Sequence, residues 1–433
     1  MESIWIRNSE PLHADQTLKK TKTDILVIGG GITGILCGYF LKKAGVDCLI
    51  LEAETICGGV TRNTTAKLTA QHGLIYDSMI RRFGVETAKG YWQVQQKALE
   101  EYRRLSETIS CDLEEKNNVV YSLDDRRKIE KEVKALQRIG VPAAFEEQLP
   151  LPFSVAGAVS VPRQGQFHPL KLLYELAKEL PLAEHTRVLE FRPGEVITNR
   201  GRVEAKRIIV ATHFPLFNRH GMYFLKLYQH RSYVLALEQA PDLPGMYVDE
   251  AKKGLSFRNA EGLLLLGGGS HRTGKKGGNW EELRVFAERH FPEAREVTHW
   301  ATQDCMTLDE LPYIGAYSPR TPNLYVATGF NKWGMTSAMV SAMILSDLVQ
   351  DKPNDYSELF SPSRSIWHPQ LAMNGAEALV DLLTPTVPRC PHLGCALHYN
   401  PQEHSWDCAC HGSRFTKEGR VLNNPANGSK KMK

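Results

Sequence analysis

The sequence predicts an α/β protein: a doubly wound parallel sheet, an α+β domain interleaved with it, and a small β module at the C-terminus. Near the N-terminus a strand, a glycine-rich turn and a helix follow one another. Short apolar runs typical of buried strands recur up to about residue 330. Four cysteines then lie close together between Cys390 and Cys410. At 433 residues the chain is long enough for two or three domains.

The composition is that of an ordinary globular protein, with 42% hydrophobic and 24% charged residues. Its 53 basic and 49 acidic residues nearly balance, so nothing indicates nucleic-acid binding. The stretch 1–22 is polar and lacks the apolar core of a secretory signal. The apolar run 25–41 is broken by glycines, so we expect no membrane span. Cysteines scattered through a chain without a leader are typical of a reducing compartment, and we expect a cytoplasmic protein.

The first βαβ unit carries a dinucleotide-binding pattern. Its predicted elements are the strand Asp24–Ile28, the helix Thr33–Ala44 and the strand Asp47–Leu51. Gly29 permits the tight turn, Gly31 lets a pyrophosphate approach the backbone, and Gly34 lets the helix pack on the strand. Glu52 follows the second strand, where a carboxylate can accept a hydrogen bond from a ribose. This pattern suits NAD and FAD equally.

The later elements complete the sheet and its neighbours. Helical periodicity runs from 74 to 107, and two apolar runs, Arg207–Ala211 and Gly262–Leu266, predict buried strands. The main body closes with the strand Asn323–Ala327 and the helix Thr336–Val349. Beyond Asp351 the composition shifts to Pro, Ser and Asn, which predicts a linker before a short helix over 371–383.

Four sequence segments indicate which of the two dinucleotides the protein binds. They are Gly58–Lys67, Arg207–Thr212, Asp309–Gly315 and Asn323–Phe330. In this order the body, roughly residues 23–350, resembles the FAD-dependent D-amino-acid oxidase/glycine oxidase family. The resemblance implies FAD rather than NAD, and it implies that Thr65, Lys67 and Thr212 lie beside the flavin.

The helix after Gly334 suits a reduced flavin. Two-electron reduction puts negative charge on one flavin edge, and a helix N-terminus presents free N–H groups to such an edge. We therefore expect Gly329, Phe330, Gly334 and Met335 to be flavin neighbours, the alternative being a plain strand–helix turn.

The catalytic candidates are less well defined by the sequence. Lys332, with Trp333 beside it, and His72 fall near the expected flavin ring, while Arg231 could pair with a substrate carboxylate. A solvated lysine, a hydrogen-bonded loop histidine and a surface arginine are the respective alternatives.

The C-terminal box contains the pattern Cys-x-His followed by Cys-x-x-His. Two thiolates and two imidazoles on two loops suit a Rieske [2Fe-2S] centre, in which one iron takes the cysteines and the other the histidines. Zinc is the rival, but zinc fingers pair like ligands, whereas each pair here is mixed. By resemblance the ligands are Cys390 and Cys408 on one iron, and His392 and His411 on the other. Cys395 and Cys410 match positions that form a disulfide in some Rieske proteins.

These observations predict the domain organisation. In order, we expect an N-terminal arm (1–22), an oxidoreductase body (23–350), a linker with a short helix (351–387) and a Rieske-type module (388–433). Within the body, FAD-binding segments (about 23–80, 150–215 and 305–350) alternate with a substrate domain (81–149 and 216–304). The module is shorter than a usual Rieske fold, so it needs either packing on the body or a metal to hold it.

The whole arrangement resembles the bacterial D-amino-acid-oxidase-like FAD proteins with a C-terminal Rieske domain. It implies oxidation of a small amine or amino-acid-like substrate, with electrons exchanged between FAD, the [2Fe-2S] cluster and an unidentified partner. Two alternatives remain at this stage: an oxidase that uses O₂ directly and has a vestigial tail, and an iron–sulfur redox protein that turns over no substrate.

Overall fold

The computed structural model describes residues 2–12, 18–217, 220–385 and 388–430. The strands of these ranges are β1 (Lys22–Ile28), β2 (Cys48–Leu51), β3 (Lys67–Leu68), β4 (Glu114–Ser122), β5 (Ala144–Glu146), β6 (Gly157–Gln166), β7 (Leu182–Ala183), β8 (Val188–Arg192), β9 (Glu195–Thr198), β10 (Gly201–Val210), β11 (Leu227–Glu238), β12 (Gly245–Asp249), β13 (Ser256–Ala260), β14 (Leu263–Arg272), β15 (Arg295–Thr307), β16 (Tyr313–Ala316), β17 (Leu324–Thr328), β18 (Leu397–Asn400), β19 (Ser405–Cys408), β20 (Arg414–Thr416) and β21 (Val421–Asn423). Their helices are α1 (Ile4–Arg7), α2 (Ile32–Lys43), α3 (Tyr76–Phe83), α4 (Val85–Ser106), α5 (Arg126–Arg138), α6 (Pro169–Lys178), α7 (Tyr223–Lys226), α8 (Trp280–His290), α9 (Gly334–Leu348) and α10 (Pro369–Leu383).

The first sheet is the predicted doubly wound one. Its path is β16-β17-β10-β1-β2-β7, in which β17, β10, β1, β2 and β7 are parallel to their neighbours and β16 is antiparallel. Helices α2 and α9 pack against each other and are buried on nearly every side, which explains why both are apolar almost throughout. The carboxyl ends of β1, β10 and β17 therefore lie at one edge, beside the amino ends of these two helices.

The second sheet is mixed and follows the path β15-β11-β14-β13-β12-β4-β6-β3. Only the β12–β4 pair on this path is parallel among the described strands. The helical run predicted over 74–107 is divided into α3 and α4 at Gly84, whose φ of +87° lies outside helical conformation. The predicted strand 262–266 is confirmed as part of β14, which extends to Arg272.

The C-terminal module is a four-stranded antiparallel sheet in the order β18-β19-β20-β21. The short helix predicted before it is confirmed as α10. Part of the predicted linker is packed on the body. Phe360 is fully buried and its carbonyl accepts the Ile314 N–H, while the Arg364 guanidinium forms an ion pair with Asp309.

The N-terminal segment predicted as an arm contributes to the core. In α1 the Trp5 side chain is 1% exposed, and its indole N–H donates to the Thr64 carbonyl at 2.7 Å. Residues 13–17 of the predicted arm lie outside the described residues. No helix within the described ranges has the length and apolar character needed to cross a membrane.

Candidate functional site

The glycine loop between β1 and α2 has the close contacts that the pattern predicts. Gly29 has a φ of +112°, and Gly31 is the residue that caps α2. A Cβ on Gly34 would lie 1.8 Å from the Gly29 carbonyl oxygen, so only glycine permits the helix to approach the turn. Gly29 and Gly31 line the large cavity described below, whereas Gly34 lies behind them.

Glu52 lines the same cavity and also holds the loop. Its carboxylate accepts the N–H groups of Gly30 at 2.7 Å and Glu54 at 2.8 Å. Burial raises the pKa of this carboxyl, while the two N–H donors lower it. The residue predicted to bind a ribose therefore also organises the turn that approaches a dinucleotide.

A cavity of about 780 Å³ extends from this loop to the amino end of α9. That volume is within the range of small-molecule and cofactor sites. Thr65, Lys67 and Thr212, assigned to the flavin by resemblance, all line it. Burial, and then the nearby Arg258 charge, lower the pKa of Lys67 to about 7.

The turn before α9 aims the helix N-terminus at the cavity. Phe330, Gly334 and Met335 line it as predicted. Gly329 does not line the described cavity; its φ is +72°, and a Cβ there would lie 2.3 Å from the Thr307 methyl group. Gly329 therefore acts through the turn and not through direct exposure to the cavity.

Two consecutive residues of that turn, Asn331 and Lys332, have positive φ values of 50° and 73°. The Asn331 side chain offsets this strain: its oxygen accepts the Thr307 N–H at 2.8 Å and its amide donates to the Gly329 carbonyl at 2.9 Å. The turn places the Lys332 amino group in the cavity, where it donates to the Ser270 hydroxyl at 2.6 Å. Burial lowers the pKa of Lys332, and the Asp304 charge partly opposes this shift.

His72 lies behind the cavity wall. Its ring is stacked on Trp333 with centroids 5.2 Å apart, and Trp333 itself lines the cavity. The ring nitrogens are 2.6 Å from the Tyr91 hydroxyl and 3.0 Å from the Thr336 hydroxyl. Burial lowers the pKa of His72 to about 3. His72 is therefore a buried, neutral residue that stacks on Trp333 outside the cavity lining, and its catalytic role stays a prediction.

Arg231 requires correction. Side chains alternate along β11, so His230 and Ser232 face the cavity while Arg231 faces away from it. Its guanidinium, 4% exposed, forms an ion pair with Glu403 of the C-terminal module. Arg231 therefore joins the two parts of the chain instead of pairing with a substrate carboxylate.

Sequence reasoning missed Asp304, which lines the cavity from β15 opposite His230 of β11. The two residues pair across antiparallel strands, so their side chains share one face of the sheet. Alternation of polar and apolar residues along the strand could have shown which face Asp304 lies on. The pattern along the long strand β15 is irregular, however, and does not reveal the buried face.

The cluster motif forms two adjacent loops, 390–395 and 408–413. Each loop turns through a glycine with positive φ, Gly394 at 80° and Gly412 at 82°. The structure joins Cys395 to Cys410 in a disulfide, and leaves Cys390 and Cys408 as buried free thiols.

The four predicted ligands suit a cluster. The Cys408 thiol can donate to Cys390, and this interaction lowers the pKa of Cys390 to about 7 despite burial. The rings of His392 and His411 lie with centroids 4.8 Å apart. Burial keeps both imidazoles neutral, the form that binds metals, by lowering the pKa of His392 to about 4 and of His411 to about 3. His411 Nδ1 is buried with no hydrogen-bond partner among the described residues.

An alternative group of potential ligands combines His411 with Cys395 and Cys410, whose ligand atoms lie within 4.8 Å of one another. Sulfurs joined in a disulfide offer no thiolate, however. The set Cys390, Cys408, His392 and His411 is therefore the chemically suitable one.

The module is attached to the body by hydrogen bonds from β11, β14 and β15. The Gln229 amide donates to the His411 carbonyl at 2.7 Å, and the Gln303 amide donates to the Gly412 carbonyl at 2.7 Å. Arg272 donates to the Ala409 carbonyl at 2.9 Å. The body therefore supplies the support that the short module lacks.

Comparisons with known proteins also divide the chain into an oxidoreductase body and a C-terminal Rieske domain. The family model for FAD dependent oxidoreductases matches residues 24–348, and the model for the Rieske [2Fe-2S] domain matches residues 383–432. YhfW of Bacillus subtilis (strain 168), named for a Rieske 2Fe-2S iron-sulfur centre, is 33% identical over 98% of this chain and 96% of its own.

Two further proteins are similar to the body alone. Gamma-glutamylputrescine oxidoreductase of Escherichia coli (strain K12) is 24% identical over 77% of this chain and 85% of its own. The crystal structure of glycine oxidase from Geobacillus kaustophilus matches with a TM-score of 0.68 and 22% identity, covering 80% of this chain and 100% of that chain. At this identity the structural match shows the fold.

Proposed function

The chain belongs to the FAD-dependent oxidoreductase family and carries a C-terminal Rieske [2Fe-2S] domain, and from this premise we propose that it oxidises a small amine or amino-acid-like substrate and exchanges the electrons with a [2Fe-2S] cluster. The name of the Escherichia coli relative denotes an oxidoreductase acting on an amine-containing compound, which supports a C–N substrate.

The observation that carries the proposal is the arrangement of the two sites about β11. His230 and Ser232 face the cavity, while Gln229 and Arg231 on alternate positions contact the cluster domain. The cavity thus borders directly on the domain that carries the cluster ligands, whose segment 421–424 also lines it. Such proximity favours electron exchange between them without a movement of the domain.

The residues of the body would hold FAD along the cavity. The turn at Gly29 and Gly31 would face the diphosphate, and Glu52 would accept from a ribose hydroxyl. The amino end of α9 at Gly334 would face the flavin ring and stabilise negative charge there. When bound, the flavin supplies a two-electron acceptor for the substrate C–H bond.

Lys332 and Lys67 are the groups best suited to proton transfer. Each amino group lines the cavity, and burial lowers the pKa of each. A lysine whose pKa is lowered by burial is more readily neutral, and a neutral lysine can accept a proton from a substrate ammonium. Only the neutral amine can be oxidised. Trp333, backed by His72, closes the cavity wall and excludes water from this end.

The cluster domain would hold its iron pair through Cys390, Cys408, His392 and His411. Such a pair takes up one electron at a time, so the two electrons of an amine oxidation pass in succession. The His411 ring nitrogen Nε2 donates to the Phe224 carbonyl of the body at 3.1 Å, which orients the imidazole and ties it to the body.

An anaerobic experiment tests the proposal. The full chain is mixed with a panel of primary and secondary amines and amino acids, while flavin absorbance and the electron paramagnetic resonance (EPR) signal of the cluster are followed. We expect at least one compound to bleach the flavin and then reduce the cluster. In the double variant Cys390→Ser/Cys408→Ser, flavin bleaching should persist without a cluster signal.

Two outcomes would contradict the proposal. Rapid flavin reoxidation by O₂ with peroxide formation, equal in the wild type and the double variant, would identify a flavin oxidase with a vestigial tail. Flavin that no member of the panel reduces, in protein whose cluster still cycles with chemical reductants, would identify a redox protein without substrate turnover.

A further inference from the structure

Asp304 is a carboxyl group in the cavity wall that feels the charges of Lys332 and Arg231 but forms no ion pair with a described residue. It lies on β15 beside the turn that carries Lys332, close to the amino end of α9. Among the residues that the structure describes, it has neither a hydrogen bond nor an ion pair within 4.0 Å, and the Lys332 amino group donates to Ser270 instead. Burial raises the pKa of Asp304, because the charged form has lost its water.

The other carboxyl groups around the cavity are either partnered or open to solvent. Those with described partners are Glu52 (Gly30 and Glu54 N–H), Glu54 (Arg187), Asp249 (Ala251 N–H), Glu250 (Lys128) and Glu377 (Lys275). Glu310 is exposed. Asp304 is therefore distinguished by being both enclosed in the cavity and unpaired.

Neither arginine of the cavity lining is free to bind a substrate carboxylate, and the lysines of the lining are Lys67, Lys252 and Lys332. Arg272 donates from all three of its terminal nitrogens, to the carbonyls of Ala409 and Cys410 and to the Asn374 side chain. Arg187 is bound to Glu54 and Asn427. An incoming carboxylate would also meet the negative charge of Asp304. Like charges in a desolvated site repel strongly, so this wall selects against anions.

We propose that Asp304 is the recognition residue for a cationic amine: the carboxylate pairs with an ammonium group of the substrate, and this end of the cavity prefers a cation to an anion of similar size. This inference rests on the proposed function for the nature of the cavity and makes its substrate class specific. The arriving cation forms the ion pair that the described residues do not, and so offsets the free-energy cost of ionising a carboxyl group that burial disfavours.

Calorimetric titration of the full chain, with its flavin chemically reduced beforehand and oxygen excluded, tests this without turnover. The probes are n-butylamine and butyrate, which have similar size and opposite charge. We expect butylamine to bind the wild type more tightly than butyrate. The Asp304→Asn variant should bind butylamine roughly ten- to a hundredfold more weakly, as loss of a charge-assisted hydrogen bond implies. Asp304→Glu, which keeps the charge, should retain most of the affinity.

Two controls separate recognition from folding. Glu179→Gln removes the same charge from a carboxylate outside the cavity that is already paired with Lys42, and it should leave butylamine affinity within about twofold. Asp304→Asn should leave the thermal unfolding midpoint unchanged or raise it, because the buried charge has no partner to lose. A midpoint lowered by several degrees would show that Asp304 is structural and would overturn the inference.

The remaining outcomes are equally decisive. Butylamine affinity unchanged in Asp304→Asn, or tighter binding of butyrate than of butylamine by the wild type, overturns the inference. Equal flavin reduction by butylamine in the wild type and Asp304→Asn also overturns it while leaving the proposed function intact. Asp304-dependent binding of butylamine in protein whose flavin no amine reduces supports the recognition role and contradicts the proposed function.

Discussion

Substitution Glu403→Gln is expected to loosen the cluster domain from the body. The Glu403 carboxylate accepts from Arg231 Nε at 3.0 Å and from Arg414 Nη2 at 2.7 Å. All three side chains are less than a tenth exposed. Although burial would raise the pKa of Glu403, the two arginine charges and their hydrogen bonds lower it overall. The glutamine would keep the shape of the side chain and remove its charge.

The expected loss of stabilising free energy depends on which arginine is left without an ion-pair partner. Arg414 would keep Asp407, which it contacts at 3.0 Å, whereas Arg231 would lose its described ion pair. Breaking a buried ion pair by neutralising one partner costs about 3–5 kcal/mol. We take about 3 kcal/mol, because the glutamine oxygen still accepts a hydrogen bond. This corresponds to roughly a hundredfold larger population of the undocked domain.

Hydrogen exchange followed by mass spectrometry measures this population. Amides of 388–430 should exchange about a hundredfold faster in Glu403→Gln than in the wild type when local opening limits exchange. The matched control is Glu377→Gln, since the Lys275–Glu377 pair is about one-third exposed. Such a pair contributes at most about 1 kcal/mol, so exchange should change by less than about fivefold.

Exchange in Glu403→Gln within fivefold of the wild type would refute the role of the buried pair. A second substitution strengthens the test. Combining Glu403→Gln with Arg231→Met removes the charge left without its partner, so it should recover part of the lost protection. If the double variant exchanges faster than the single one, Arg231 stabilises the interface by some other contact.

The remaining predictions concern the cofactor sites and pH. Gly31→Val should abolish FAD binding in a folded chain. Gly34→Ala should also lower the melting temperature, because its Cβ would lie 1.8 Å from the Gly29 carbonyl oxygen. Flavin content measures the first effect and calorimetry the second, and equal melting temperatures of the two variants would contradict the steric role of Gly34. Glu52→Ala should weaken FAD binding about ten- to a hundredfold and destabilise the apoprotein by about 1–3 kcal/mol, since two N–H groups lose their acceptor. An unchanged denaturation curve would leave only the ribose role. Because the pKa of Glu403 is depressed, the ion pair stabilises the docked domain above pH 4.5, the ordinary pKa of a glutamate, and this stabilisation is lost as the pH falls below that value. Hydrogen exchange of 388–430 should therefore accelerate in acid, and no acceleration would count against the ion pair.

The fold was largely predictable because its signals are local. The strand–glycine–helix order defines the first βαβ unit, and its glycines have steric reasons visible in three dimensions. The helix α10 was also found, since its apolar periodicity is independent of its neighbours. Burial of Trp5 and Phe360 could not be predicted, because it depends on contacts with distant segments.

The candidate site was likewise predictable only where its sequence signals are local. Residues within recognisable motifs, such as Lys67 and Met335, line the cavity. Arg231 did not, because a change of one position on a strand moves a side chain to the opposite face, and the sequence did not reveal which face was the cavity. Asp304 was missed because its significance lies in the absence of a partner, which only the packed structure reveals.

The four cluster ligands lead to a prediction about redox potential. Neutral imidazoles give the cluster less negative charge than four thiolates do, so the midpoint potential should lie in the Rieske range, roughly −150 to +300 mV, rather than near −400 mV. His392→Cys, if the cluster still assembles, should lower it by adding a thiolate charge. A potential unchanged by this substitution would exclude His392 as a ligand.

The central claim is that one chain holds a flavin and a Rieske cluster. It is tested most directly by absorption and EPR spectra of the full chain purified without oxygen, together with its flavin, iron and zinc content. We predict one FAD and two irons per chain, and a rhombic EPR signal with a low average g value after reduction. Stoichiometric zinc without iron, in protein made with ample iron, would contradict the claim and leave a flavoprotein with a zinc-stabilised tail.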